Sequence, residues 1–135
     1  MVDVLCDTSF LMVLVSKPIK QLIKIEGQLG RLDFLVPDIV VAELERLKEK
    51  AGPKRSTLAK TAIELARTKF KQVTVQKAHH VDDSVLEYAM AKKCAVATID
   101  TNLRRRLIAN NVLVLTLSKD RLIVANPKPS PKDHV

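Results

Sequence analysis

Short, continuously apolar runs alternate along this chain with longer segments whose apolar residues recur at helical spacing, and this alternation limits the fold more than any other feature. Strands of a parallel sheet are covered by helices on both faces, so they read as unbroken apolar runs. Five runs are close to that description, the first of them interrupted by Asp3: Val2–Cys6, Phe34–Val36, Val73–Val75, Ala95–Thr98 and Val112–Thr116. The pattern predicts an α/β fold with a central parallel sheet of about five strands and helices on both faces. A last run, Arg121–Val124, is either an edge strand or the return strand of a hairpin.

The helical segments have recognisable starts and stops. Pro18 breaks the first segment into two short pieces, and Gly30 ends the second piece. Pro37 suits the first turn of the next helix, because its fixed φ is helical and its missing N–H is not needed there. A basic turn is predicted at Lys48–Arg55, followed by a helix from about Ser56 to Phe70.

The chain is predicted to form one domain over residues 1–125. A chain of 135 residues buries roughly two-thirds of the surface that it exposes when unfolded, so neither a metal nor a disulfide is needed for folding. Residues 126–135 are basic, contain three prolines and lack core-forming residues, which predicts a flexible tail. No apolar run reaches the length of a membrane span and no basic leader precedes one, so we expect a cytoplasmic protein.

Positive charge favours a polyanionic partner. Lysine and arginine number 23 against 15 aspartate and glutamate residues, which gives a net charge of +8. Such a balance is typical of proteins that bind nucleic acid, and the alternative is a basic protein without such a partner.

The two cysteines test the expected strand order. Cys6 lies near the end of the first apolar run and Cys94 lies just before the start of the fourth. If these two runs are parallel neighbours, the thiols are too far apart to form a disulfide. We therefore expect both cysteines to be reduced and to serve in packing.

Four acids are candidates for one site. Asp7 ends the first strand, Asp100 closely follows the fourth, and Asp82 stands at a helix start. Glu43 lies inside the apolar stripe of its helix, within about 60° of three apolar positions. Ligands of open parallel sheets bind beyond the carboxyl ends of the strands, so these acids are expected to meet there. Carboxylates that close repel one another unless a cation neutralises them, and oxygen-only ligands suit Mg²⁺ or Mn²⁺.

Each acid also has an ordinary structural explanation. Asp7 and Asp100 can cap the helices that follow them, and one of the adjacent pair Asp82 and Asp83 can cap theirs. Glu43 can pair with an arginine elsewhere in the chain. One shared metal site is the reading that explains all of these positions together.

The sequence resembles the PIN domain family of ribonucleases over residues 2–117. The matching segments are DVLCDTSFLM, VPDIVVAELERL, VDDSVLEYAMAKKCAVATIDTNLRRRL and VLVLTL, in this order. The resemblance implies a three-layer α/β/α sandwich whose metal-binding and catalytic acids are Asp7, Glu43, Asp82 and Asp100. Asp83 competes with Asp82; we prefer Asp82, because the family places its acid at the start of the helix.

Supporting residues follow from the same resemblance. Thr98 matches the family's T-x-D signature and Ser9 matches a polar position near the first acid, so both are expected to orient carboxylates through hydrogen bonds. Asn102 stands where many relatives carry another acid, which leaves the number of metals, one or two, open. The cluster Arg104–Arg106 is a candidate RNA-binding surface, although such a cluster is more often a solvated helix face.

The function implied is a ribonuclease that uses Mg²⁺ or Mn²⁺ and a metal-activated water to hydrolyse RNA phosphodiester bonds, and we expect an endonuclease. The basic LRRR segment and the proline-rich tail are more similar to the archaeal and eukaryotic branch linked to ribosomal RNA processing than to VapC-type toxins. A module that binds RNA or a ribosome-assembly partner without cutting is the rival hypothesis. The resemblance also implies a homodimer, and an antitoxin partner if the chain is a toxin.

Overall fold

The computed structural model describes residues 2–16, 29–76, 80–119 and 121–127. The helical piece predicted just after Pro18 falls outside these ranges. Six strands lie within them: β1 (Val2–Cys6), β2 (Leu32–Pro37), β3 (Lys71–Val73), β4 (Ala95–Ala97), β5 (Val114–Ser118) and β6 (Arg121–Val124). The same ranges contain five helices: α1 (Thr8–Ser16), α2 (Asp38–Lys50), α3 (Pro53–Thr68), α4 (Val81–Lys92) and α5 (Thr101–Ala109).

The strands form one sheet in the order β3-β2-β1-β4-β5-β6. The first five strands run parallel, and β6 returns antiparallel to β5 as the second strand of a hairpin. In the centre of the sheet, Val4 of β1 lies in register with Phe34 of β2 and Ala95 of β4. The predicted α/β fold with a mostly parallel sheet is confirmed, and so is the pairing of the first and fourth apolar runs.

Successive residues of β1 contribute to two different hydrophobic layers. Val4 and Cys6 are fully buried among side chains of α1, α2 and α3, whereas Leu5 is fully buried among side chains of α4 and α5. The sheet is therefore covered on both faces, and the expected three-layer α/β/α sandwich is confirmed. Cys6 and Cys94 are free, buried thiols, as predicted, and the structure places them in opposite hydrophobic layers.

The segment predicted as a basic turn is mostly helical, so that prediction is wrong. Helix α2 continues to Lys50 and α3 begins at Pro53, which leaves Ala51 and Gly52 as the link. The reason is the proline itself: Pro53 occupies the first turn of α3, the position that its missing N–H and fixed φ favour.

Strand β3 begins two residues earlier than the apolar run predicted. It is an edge strand with exposed Lys71 and Gln72, so it lacks the unbroken apolar run of the central strands. Val75 is buried just beyond it, and its N–H donates to Asp38 Oδ1 at 3.0 Å. The apolar residues after Gln72 thus mark where the chain leaves β3.

A side-chain amide forms hydrogen bonds with the main chain at the start of β5. Asn126, the first residue of the predicted tail, accepts from Val114 N at 2.7 Å and donates to Val112 O at 2.9 Å. Residues 128–135 of that segment lie outside the described residues. No helix in the described part of the chain is long and apolar enough to cross a membrane.

Candidate functional site

Two neighbouring strands end in the same way at the carboxyl edge of the sheet, each with an aspartate that caps the next helix. Asp7 follows β1, and its main-chain oxygen accepts from Leu11 N while its Oδ1 accepts from Phe10 N at 2.8 Å. Asp100 precedes α5, and its Oδ1 accepts from Leu103 N at 3.0 Å. The capping expected for these acids is therefore present at both junctions.

Asp7 is buried, whereas Asp100 is exposed. The Asp7 side chain retains 6% of its accessible surface and accepts two further hydrogen bonds from side chains. Ser9 Oγ lies 2.8 Å from Asp7 Oδ1 and 3.0 Å from Oδ2, and Thr98 Oγ1 donates to Oδ2. The two residues predicted to orient a carboxylate thus both contact Asp7.

The direction of these hydrogen bonds is fixed by the main chain of the loop between β4 and α5. Ile99 N donates to Ser9 Oγ at 3.2 Å, and Asp100 N donates to Thr98 Oγ1 at 3.1 Å. Because each hydroxyl already accepts from an N–H, its own hydrogen is left for the Asp7 carboxylate. Asp7 therefore receives three donors from fixed positions, which makes its orientation rigid.

Burial dominates the electrostatics of Asp7. Desolvation raises the pKa of this carboxyl from 3.8 to about 6, although the hydrogen bonds from Thr98, Phe10 and Ser9 act in the opposite direction. The nearby Asp82 carboxylate adds to the increase. Asp7 forms no ion pair within the described residues, so no protein cation there offsets its charge.

The adjacent acids at the start of α4 have different surroundings. Burial and then the Asp100 carboxylate raise the pKa of Asp82, while the Arg106 guanidinium acts in the opposite direction. Asp83 Oδ1 instead lies 2.6 Å from Arg106 Nη2 in an ion pair that links α4 to α5. Asp82 thus interacts electrostatically with both Asp7 and Asp100.

Glu43, the fourth candidate acid, lies on a different helix. It lies on α2, one residue before the fully buried Leu44, and its side chain is partly buried, in keeping with its predicted place in the apolar stripe. Among the residues that the structure describes, it has no hydrogen bond and no ion pair, so the arginine partner considered from the sequence is not found there. Glu45, two residues on, is the acid that pairs with cations, namely Lys48 and Arg67.

The predicted arginine cluster divides by role, and Asn102 is exposed beside it. Arg106 is the partner of Asp83, Arg105 is exposed and Arg104 is half-buried. Asn102 lies exposed in the first turn of α5, two residues after Asp100. Two of the three arginines therefore form no ion pair with a described acid.

The donor chemistry of this edge fits a hard divalent cation. Within residues 2–16, 29–76, 80–119 and 121–127, no three acid, histidine or cysteine side chains are grouped as a complete metal site. The carboxylates of Asp7 and Asp82 nevertheless repel each other, and those of Asp82 and Asp100 do so too, and carboxylate oxygens are the donors that such a cation prefers. Next to Asp7, the buried Oγ1 of Thr8 has no hydrogen-bond partner among the described residues, so this junction holds an unused oxygen.

Sequence reasoning missed the main-chain donors of this network. The N–H groups of Phe10, Ile99 and Asp100 set the geometry, yet every residue except proline carries such a group and no side-chain pattern marks them. The D-T-S sequence after β1 and the T-x-D sequence after β4 were the available signals. They located the two junctions but not the bonds that connect them.

Comparison with known proteins agrees with the fold. Residues 4–120 match the profile of a family described as PIN like domain. Among solved structures, the PIN domain endonuclease Utp24 is similar with a TM-score of 0.74 and 24% sequence identity, over 93% of this chain and 92% of that one. A domain of a functionally unknown protein from Methanocaldococcus jannaschii DSM 2661 has a TM-score of 0.58 and 19% identity, over 96% and 97% of the two chains. The search of curated proteins found no match. The chain belongs to the PIN-like domain family.

Proposed function

We propose that this protein is a ribonuclease that hydrolyses RNA phosphodiester bonds with the help of Mg²⁺ or Mn²⁺. The observation that carries the proposal is the environment of the Asp7 carboxylate. This group is buried, accepts hydrogen bonds from three protein donors and is repelled by the Asp82 carboxylate, and it forms no ion pair with a cation among the described residues. Family membership supports a nuclease, and the similar Utp24 structure is described as an endonuclease. We therefore propose cleavage within the RNA chain.

The proposed ligands are Asp7, Asp82 and Asp100, with Glu43 as the fourth acid. When bound, a divalent cation supplies charge neutralisation and lowers the pKa of water near the scissile phosphate. Ser9 and Thr98 keep the Asp7 carboxylate in one orientation, so it enters the reaction without rearrangement.

Asp83 is proposed to position its neighbour rather than to bind the ion. Its ion pair with Arg106 holds the start of α4 against α5, and that contact keeps Asp82 facing Asp100. The pair is partly exposed, so its contribution to stability is about 1 kcal/mol or less. Its importance is in geometry.

The substrate class follows from charge. A net charge of +8 favours a polyanion, and RNA is the substrate class that the family resemblance implies. A role in ribosomal RNA processing is the finer part of this proposal, supported by the basic LRRR segment and the basic C-terminal segment.

The test is cleavage of a structured RNA with Mn²⁺ and with EDTA, using wild-type protein and the matched variants Asp82→Asn and Asp83→Asn. We expect cleavage only with the metal, a loss of at least about 100-fold for Asp82→Asn, and a loss of about tenfold or less for Asp83→Asn. Equal losses for the two variants would remove the distinction between ligand and neighbour.

Metal binding is measured separately by the rise in Tm on addition of Mn²⁺. The rise should be present in the wild type and absent in Asp7→Asn, because only a folded site binds the ion. Unchanged cleavage by Asp7→Asn, or cleavage that survives EDTA, contradicts the mechanism.

The rival function is an RNA-binding module that does not cut. It is favoured by the observation that no three ligating side chains in the described residues form a complete site. RNA binding that persists in EDTA, together with no turnover in Mg²⁺ or Mn²⁺, would select this alternative.

A further inference from the structure

Ten residues at the junction of α2 and α3 carry half of the net charge of the chain. Residues 46–55 contain five lysine or arginine residues and one glutamate, a net charge of +4 out of +8. We call this segment the basic corner; its cations are Arg46, Lys48, Lys50, Lys54 and Arg55. The site at the carboxyl edge uses none of them.

The basic corner is held rigidly, although it lies at a surface connection. Only Ala51 and Gly52 separate the two helices, and Ser56 Oγ on α3 donates to the main-chain oxygen of Lys48 on α2. The helices also share a buried apolar contact that includes Leu44 and Ala59. The main chain that carries the charges is therefore ordered before any partner binds.

Most of these cations are not used within the protein. Lys48 pairs with Glu45 at 3.1 Å. The other four, Arg46, Lys50, Lys54 and Arg55, are exposed and form no ion pair with any acid in the part of the chain that the structure describes.

Helix stability explains only part of this arrangement. Lys48 and Lys50 lie in the last turn of α2, where cations interact favourably with the negative end of the helix dipole. Lys54 and Arg55 lie in the first turn of α3, which contains no acid, and there the dipole disfavours them. A positive cluster that opposes the dipole is accounted for by an external anion.

We propose that the basic corner is a docking surface for the phosphate backbone of RNA, an inference that rests on the proposed ribonuclease function. Helix α2 starts at the carboxyl edge, at Asp38, and reaches Lys50 after about 18 Å at the rise of an α-helix. A few nucleotides of single-stranded RNA span that distance. The corner thus contacts the strand at some distance from the acids and contributes affinity without sequence readout.

The experiment measures binding of a short fluorescein-labelled single-stranded RNA by anisotropy, in EDTA, as a function of salt concentration. The variant carries Lys50→Gln, Lys54→Gln and Arg55→Gln, all at exposed positions. Loss of three phosphate contacts should reduce the slope of log K against log salt by about 2. At low salt the affinity of this variant for the RNA should be lower than that of the wild type.

A matched triple variant controls for net charge. Lys71→Gln, Lys92→Gln and Lys93→Gln remove three exposed cations outside the corner. The slope of log K against log salt for this variant should differ from that of the wild type by no more than about 0.7, the value of one phosphate contact. Equal changes of slope in the two triple variants would mean that RNA binding depends on net charge alone. No change of slope in either variant would mean that the basic corner binds another partner, such as an acidic protein. Each of these results contradicts the proposal.

The cleavage assay separates this proposal from the one on which it rests. If the slope of log K against log salt is smaller for the corner variant than for the wild type, but the wild type cleaves no RNA in Mn²⁺, the docking proposal is supported and the nuclease proposal is contradicted. If the wild type cleaves and the slopes of both triple variants equal that of the wild type, the nuclease stands and the docking surface fails.

Discussion

The junctions after β1 and β4 use one local device in two different environments. At both, an aspartate follows a parallel strand, its main-chain oxygen accepts the first helical hydrogen bond, and its Oδ1 accepts from the N–H three residues on. Asp100 interacts with its own helix and is exposed. Asp7 is buried and receives a further donor from the opposite junction, the hydroxyl of Thr98.

Magnitudes separate the two cases. A helix cap contributes about 1 kcal/mol, which is enough to explain an exposed aspartate such as Asp100. The raised pKa of Asp7 corresponds to a cost of about 3 kcal/mol at neutral pH, so capping does not explain why a charged group is buried there. The cation that we propose for this site would offset the cost, and the difference between the junctions therefore supports the proposal at Asp7.

The largest expected effect tests that cost through pH. The folded form of Asp7 holds its proton up to about pH 6 and the unfolded form only up to 3.8, so the stability that this group contributes is present at low pH and is lost as pH rises through 6. In EDTA, the difference in free energy of unfolding between wild type and Asp7→Asn should change by about 3 kcal/mol across this range. Urea unfolding at several pH values measures it, and parallel curves for the two proteins would contradict it.

The next effect breaks the link between the junctions. Thr98→Val removes the hydroxyl that donates to Asp7 and accepts from Asp100 N, so the buried Asp7 carboxylate loses one of its three donors. We expect a loss of about 2 kcal/mol in urea unfolding, because a hydrogen bond to a charged group contributes about 1.5–3 kcal/mol. Thr98→Ser keeps the oxygen and serves as the control; a similar loss in both variants would assign the effect to packing of the methyl group.

The smallest effect concerns Asp100 as a cap. Asp100→Ala should lower the free energy of unfolding by about 1 kcal/mol. Asp100→Asn should retain most of the stabilisation by the cap, because asparagine caps a helix as well as aspartate does. Chemical denaturation of both variants measures the difference. If Asp100→Asn also keeps full cleavage activity, Asp100 is a cap alone and the proposed ligand set loses one member.

Much of the fold was predictable, because burial on both faces leaves a direct trace in sequence. The apolar run of β1 is unbroken between Val4 and Cys6 since neighbouring residues enter opposite layers. Edge strand β3 left only a displaced trace, the run Val73–Val75, because Lys71 and Gln72 are exposed. Pro53 was misread as part of a turn, since proline signals a turn and a helix start equally.

The site was predictable as residue types near strand ends, and less so as contacts. The sequence singled out Asp7, Ser9 and Thr98, and the structure brings these three together. The distinction between Asp82 and Asp83 depends on where Arg106 reaches across from α5, which no local pattern encodes. The roles of the four acids as metal ligands stay predictions.

The hydrogen bond between Thr98 and Asp7 joins residues 91 positions apart in the chain, and this separation sets the order in which the site is assembled during synthesis. At translation rates of about 5–20 residues per second, the codon for Thr98 is read roughly 5–20 s after that for Asp7. A nascent chain that has not yet reached β4 contains Asp7 but lacks the strand and the Thr98 hydroxyl that orient its carboxylate in the folded protein. The proposed RNA-cutting centre therefore cannot form on the early nascent chain, so the ribosome that makes the protein is not exposed to it at that stage.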